Sequence, residues 1–213
     1  MKNVTEVVFI LDRSGSMQGL EKDTIGGFNS LIDQQKKEEG EAFVSVVLFD
    51  DRTEVIYDRV PIQSVKKMTE KEYYARGCTA LLDAVGLAIH HIARVHKEMP
   101  KEVCPDKTLF VITTDGMENS SQLYTYQKVK KMIEKRQKKH GWEFLFLGAN
   151  IDAAKEAQCF GIDSSHASNY HADEQGIGNN YEVLSKTITS YRACGIIEKK
   201  WKQEIEKDYK KRR

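Results

Sequence analysis

Apolar residues follow two rhythms along this chain. Short unbroken runs stand at residues 7–11 (VVFIL), 42–49 (AFVSVVLF), 107–113 (KTLFVIT) and 142–147 (WEFLFL). Runs of branched and aromatic side chains, closed by turn signals, are the pattern of strands buried on both faces. Between them, apolar residues return every three or four positions, the pattern of a helix with one inward stripe. Residues 20–37 predict such a helix, with Ile25, Phe28, Leu31 and Ile32 inward and Gly40 beyond its end. A second helix is predicted from just after Ala80 to about His96, on Leu82, Val85, Ile89, Ile92 and Val95, and a third over 123–140, on Tyr126, Val129, Met132 and Ile133. A short helix over 152–160 is closed by Gly161. Tyr181, Leu184, Ile188 and Tyr191 mark a final helix, which Ile197, Trp201 and Ile205 extend.

Three residues, Asp50 to Arg52, separate the second run from TEVIY at 53–57. So short a link admits only a hairpin, so these two strands pair antiparallel. Residues 58–76, with Pro61, predict only a short helix near 64–67, and Ser168-Asn169-Tyr170 a short last strand. Strands alternating with helices imply an α/β fold: a doubly wound, mostly parallel sheet of about six strands with helices on both faces. There is no internal repeat and no Gly-, Pro- or Ser-rich linker. The reading is one domain over residues 1–195, with 196–213 as a basic C-terminal helical extension.

Composition narrows the function classes. A net charge of +1 over 213 residues, 31% of them charged, excludes a general polyanion binder and an acidic tail protein. Cys78, Cys104, Cys159 and Cys194 are scattered without a C-x-x-C and are expected to be core thiols in a reducing compartment. The N-terminus leads directly into a strand with no signal-peptide pattern. No apolar run approaches the roughly 20 residues that span a bilayer. The expectation is a soluble cytoplasmic protein with no membrane partner; nothing in the sequence sets its oligomeric state. The sequons at Asn3 and Asn119 are then chance matches.

The candidate chemistry lies where the buried strands end. The first run stops at Asp12, followed by Ser14, Gly15 and Ser16. An Asp turn with a Ser cap would explain that much without any ligand. Two further loops carry oxygen donors: Thr79 in G-C-T-A-L, immediately before a helix, and Asp115 in T-T-D-G, immediately after a strand. In a doubly wound sheet the carboxyl-end loops at the switch point face one crevice. Asp12, Ser14, Ser16, Thr79 and Asp115 are therefore expected to converge. A donor set of oxygens alone suits Mg2+ or Mn2+, with Ca2+ as a further candidate, rather than zinc.

Taken together and in this order, D-R-S-G-S, G-x-T-A-L and T-D-G resemble the metal-ion-dependent adhesion site of the von Willebrand factor A domain. The resemblance covers about residues 6–192, and none of the five positions departs from the pattern. The E-N-S-S after T-D-G and the missing signal peptide make the chain more similar to intracellular bacterial members. The resemblance implies a Rossmann-like domain holding one divalent cation at the top of its sheet. It further implies that Ser14 and Ser16 contact the metal directly, that Thr79 and Asp115 alternate between direct and water-mediated contact, and that Asp12 acts through water. Independently of any family, neutral hydroxyls leave a cation much of its charge, and Mg2+ keeps water where protein ligands are missing. A Glu or Asp from a partner protein can replace such a water, giving a metal-dependent contact without chemistry on the partner. Gly15 and Gly116 suit the close backbone approach that such loops need.

Other classes fit less well. A metal-dependent aspartyl phosphatase or hydrolase wants a second Asp as acid and base where Ser14 stands. There is no G-x-S-x-G elbow and no P-loop, and Gly176-Ile177-Gly178 fails the dinucleotide pattern at Tyr181. His90, His91 and His96 lack the i, i+4 spacing of a zinc pair and read as solvated or structural. Cys78 beside Thr79 reads as a buried thiol. The basic cluster from Lys199 to Arg213 is interleaved with Glu198, Glu204, Glu206 and Asp208, and the lysines of the 123–140 helix read as a solvated face, so nucleic acid is the minority reading. Asn150 and Asp152 either line the site's rim or cap the next helix.

Overall fold

A computed structural model describes residues 3–212; Arg213, at the end of the basic cluster, lies outside them. Six strands form one sheet in the order β3-β2-β1-β4-β5-β6. They are β1 (Val4–Asp12), β2 (Glu41–Phe49), β3 (Thr53–Pro61), β4 (Lys107–Thr114), β5 (Glu143–Ala149) and β6 (Ala167–Tyr170). All neighbours pair in parallel except β2 and β3, the antiparallel hairpin. The sheet therefore matches the expected class. β1 lies at the centre and all nine of its residues are buried, which explains why its sequence shows no alternation.

Period-two geometry still sorts its side chains. Val7, Phe9 and Leu11 join one core layer, with Phe28 and Leu31 of α1 (Glu21–Gln35) and Tyr181, Leu184 and Ile188 of α5 (Glu174–Cys194). Val8 and Ile10 join the other, with Leu81, Val85 and Ile89 of α2 (Leu81–Glu98), Val129 and Ile133 of α3 (Tyr126–His140) and Ala157 of α4 (Ala153–Cys159). Phe9 and Phe28 meet edge to face, 5.4 Å between centroids. Burying one such side chain contributes about 2 kcal/mol.

Several boundaries differ from the sequence reading for identifiable reasons. β3 runs on to Pro61 by absorbing irregular pairing opposite Val44 to Val47, with Arg59 at φ 51°. The helix expected near 64–67 is instead a single 3-10 turn at Ile62–Ser64 followed by chain without regular secondary structure. α3 starts at Tyr126, capped by Thr125, not at residue 123. The final helix does not run through: Gly195, left-handed at φ 73°, ends α5, and α6 (Gln203–Lys211) is separate. Trp201 and Ile205 are buried in the first core layer. The cysteines are not core residues. Cys78, Cys159 and Cys194 are exposed and Cys104 is half-buried, so the buried thiol expected beside Thr79 is corrected as well.

Candidate metal centre

β1 and β4 are neighbours at the point where the strand order reverses. Asp12 is the last residue of β1, and Asp115 directly follows β4. Ser14 and Ser16 lie in and beside the 3-10 turn Gly15–Met17. Thr79 stands two residues before α2. Asp12, Ser14, Thr79 and Asp115 are all at most 3% exposed, whereas Ser16 is open to solvent.

The side chains meet. The Ser14 and Ser16 hydroxyls are 3.0 Å apart. Ser16 Oγ donates to Asp115 Oδ1 at 2.5 Å. A Cβ placed on Gly116 would lie 3.6 Å from both Ser16 Oγ and Thr79 Oγ1, so these two hydroxyls flank one small cradle. Asp12 lies behind it. Its Oδ1 accepts the Ser14 N–H at 2.7 Å and its Oδ2 accepts the Thr114 hydroxyl at 2.6 Å. Hydrogen bonds thus link Asp12, Ser14, Ser16 and Asp115, with Thr79 beside the same cradle.

Burial pushes the Asp12 carboxyl up to about 6; hydrogen bonds from Thr114 and Ser14 pull against this, and nearby Asp115 adds to the rise. Burial also raises Asp115, with the Ser16 hydrogen bond opposing. Two carboxylates disfavoured as anions at one place make a site that gains from a cation. The donors fit a hard divalent ion. All are oxygens, and Asp115 Oδ2 is buried without a hydrogen-bond partner among the described residues. Among the described residues no group of three His, Cys, Asp or Glu side chains is placed to hold a metal ion, so an ion here would depend on the hydroxyl oxygens as well.

The loops are fastened by residues that the sequence reading passed over. α2 has no side-chain cap of its own. Its first turn is capped from the loop after β4, with Glu118 Oε2 accepting from Leu82 N at 2.8 Å and Ser121 Oγ from Asp83 N at 3.0 Å, and just before the helix Asn119 Oδ1 accepts from Thr79 N at 2.9 Å. In return, the Asp83 carboxylate accepts the backbone N–H groups of Gln122, Leu123 and Tyr124, each at 2.9 Å. This reciprocal capping locks the Thr79 segment to the Asp115 segment. Gly15 N donates to Gly77 O at 3.1 Å, which ties in the first loop.

Arg13 is the other omission. It has no role in the sequence reading, yet it is fully buried. Its Nε meets Asp50 Oδ2 at 2.8 Å, its Nη2 meets Glu54 at 2.7 Å and its Nη1 donates to Glu72 O at 3.1 Å. Arg76 Nε reaches the same Asp50 oxygen at 2.8 Å. Burial would raise Asp50, but Arg76, the Arg52 N–H and Arg13 outweigh it and hold the carboxyl below its usual range. Tyr73 donates to the Asp12 carbonyl. At the rim, Asn150 Nδ2 reaches Asp115 O at 3.4 Å, whereas Asp152 caps α4 through Lys155 N. The two alternatives for these residues are therefore divided between them. Two of the three helix histidines pair with carboxylates: His91 with Asp58 at 2.8 Å and His96 with Glu6 at 2.9 Å.

No protein-family model matches the sequence, and neither does any curated protein. Solved structures do. A von Willebrand factor type A protein from Catenulispora acidiphila superposes with TM-score 0.61 at 15% identity, over 88% of this chain and 43% of that one. Proximal thread matrix protein 1 from the mussel byssus, in a form with a zinc-occupied MIDAS motif, gives 0.58 at 16%, over 87% and 46%. Manganese-loaded TRAP protein of Plasmodium vivax gives 0.58 at 18%, over 85% and 74%. This chain spans less than half the length of the first two. The architecture is the von Willebrand factor A fold.

Proposed function

We propose that this domain is a divalent-cation-dependent protein-interaction module, holding Mg2+ or Mn2+ through Ser14, Ser16, Thr79 and Asp115 with Asp12 behind them. The observation that carries the reading is the meeting of Ser14, Ser16 and Asp115 Oδ1, while the other oxygen of that carboxylate, Oδ2, is buried without a partner among the described residues. Two similarly folded proteins, one with zinc in its MIDAS motif and one loaded with manganese, support a divalent ion. When bound, the cation would supply an electrophilic centre for an acidic side chain of a partner protein. The chain's own residues perform the positioning. Asp12 fixes the Ser14 N–H and the Thr114 hydroxyl, and so aims the loop. The hydroxyls of Ser14, Ser16 and Thr79 donate oxygen without neutralising charge.

The side chains present favour binding over catalysis in this reading. A hydroxyl, Ser14, stands where acid–base chemistry would need a carboxylate. His91 and His96 are held by Asp58 and Glu6. A cytoplasmic setting is part of this reading. Among the described residues no helix is long and apolar enough to cross a membrane. The basic C-terminal segment is partly engaged within the fold: Lys202 Nζ donates to Ser164 O and Ala167 O, each at 2.8 Å, and Arg212 pairs with Asp173 at 2.5 Å. The test is capture of partners from native extract with Mg2+, with a chelator, and with Asp115→Ala. Specific partners lost in both the chelator and the variant arms support the proposal. Partners retained in both overturn it.

A further inference from the structure

At the opposite pole from the candidate metal centre, an open cavity of about 600 Å³ lies between the C-terminal ends of α2 and α3 and the start of β4. Lys97, Lys135, Arg136, Lys139 and His140 line it. None of these five makes an ion pair with a carboxylate among the described residues. The one carboxylate in the wall, Asp106, already accepts the Val4 N–H at 3.2 Å. The His96 ring in the same wall is turned to Glu6. The cations repel one another: after burial, the charges of Arg136, His96, Lys139 and Lys135 all lower the basicity of His140.

The ordinary explanation is that cations complement helix C-termini. Each terminus carries only about half a negative charge, and its effect fades within one turn. Two such ends do not balance three lysines and an arginine around one cavity. Arg136 is also held in place, its guanidinium 5.3 Å from the centre of the Trp142 ring. Trp142 is itself stacked on Phe110, so the wall offers a fixed cation and no open aromatic face for a base to stack on. A compact ligand with several negative charges suits this better than a planar one.

We propose that this cavity is a binding site for a small phosphate-bearing anion, held by Lys97, Lys135, Arg136 and Lys139. The site is independent of the cation site on the other side of the molecule. The experiment is calorimetric titration of the full chain with inorganic phosphate and with pyrophosphate. The variants are Lys135→Ala/Lys139→Ala, Arg136→Gln, and the control Lys131→Ala/Lys138→Ala on the same helix. Saturable pyrophosphate binding, at least about tenfold weaker in the first two variants and unchanged in the control, is the expected result. Circular dichroism confirms that each variant folds. Absent binding, or equal losses in the control, overturns the proposal. So does a preference for single-stranded RNA that spreads over all these lysines, which would mark a diffuse nucleic-acid surface instead.

Discussion

Ser16 donates its hydroxyl hydrogen to the carboxylate of Asp115 at 2.5 Å, across 99 residues of sequence. This contact closes the gap between the loop after β1 and the loop after β4. It joins a solvent-facing hydroxyl to a buried acid. Whatever this site binds must be met by both.

Removing the acid separates binding from folding. Asp115 is buried with one oxygen unpartnered among the described residues. Asp115→Asn should therefore leave the metal-free protein as stable as the wild type, or more so, because an isolated buried charge is unfavourable. Its Mg2+ affinity should fall at least about tenfold, or about 1.4 kcal/mol. Thermal melts with and without Mg2+ check both halves.

Asp83 should matter without touching the cation. Its carboxylate accepts three backbone N–H groups from the loop after β4. Asp83→Ala leaves them unpaired and should cost about 3 kcal/mol in denaturant unfolding. It should also weaken Mg2+ binding, because the Asp115 loop loses its anchor to α2. Full stability in this variant would contradict the reciprocal capping.

Arg13 and Asp50 are both wholly buried, 2.8 Å apart. Removing Arg13 takes away one of the two cations on Asp50, leaving Arg76 on the same oxygen at 2.8 Å, so Arg13→Met should destabilise by about 1.5–3 kcal/mol. Arg13→Lys should not restore stability, since one ammonium cannot serve Asp50, Glu54 and the Glu72 carbonyl as a guanidinium does. Urea titration of both variants is the check.

The pH dependence follows from Asp12, raised by burial from 3.8 to about 6. A raised folded-state value means that protonation favours the metal-free fold. That contribution is complete below 3.8 and lost as pH rises through about 6. A cation reverses the preference by favouring the anion. The rise in melting temperature on adding Mg2+ should be large at about pH 7.5 and small at about pH 5. Equal rises at both would mean that Asp12 is not linked to the ion.

Much of this was legible in the sequence because it depends on local pattern. The runs ending at Asp12 and Thr114 announce buried strands, and D-R-S-G-S, G-C-T-A-L and T-T-D-G mark the loops that the topology brings together. The fastenings were not legible. E-N-S-S served only the resemblance, and Asn119 read as a chance sequon, because the partners of Glu118, Asn119 and Ser121 at Leu82, Thr79 and Asp83 lie some 40 residues earlier. The burial of Arg13 was not legible because its charge is balanced by Asp50 and Glu54, which only the β2–β3 hairpin delivers. The cysteines were misplaced because burial statistics for thiols say nothing about one loop: Cys78 adjoins buried Thr79 but is itself exposed. The break at Gly195 was hidden because Ile197, Trp201 and Ile205 continue the helical spacing while bending back onto the first core layer.

The most direct test of the central claim is calorimetric titration of Mn2+ into the wild type and into Ser16→Ala. Ser16 is exposed and its loss leaves the core intact, so a change reports the site and not the fold. One ion per chain is expected in the wild type, with at least about tenfold weaker binding in the variant. Identical heats and stoichiometry in the two proteins would contradict it.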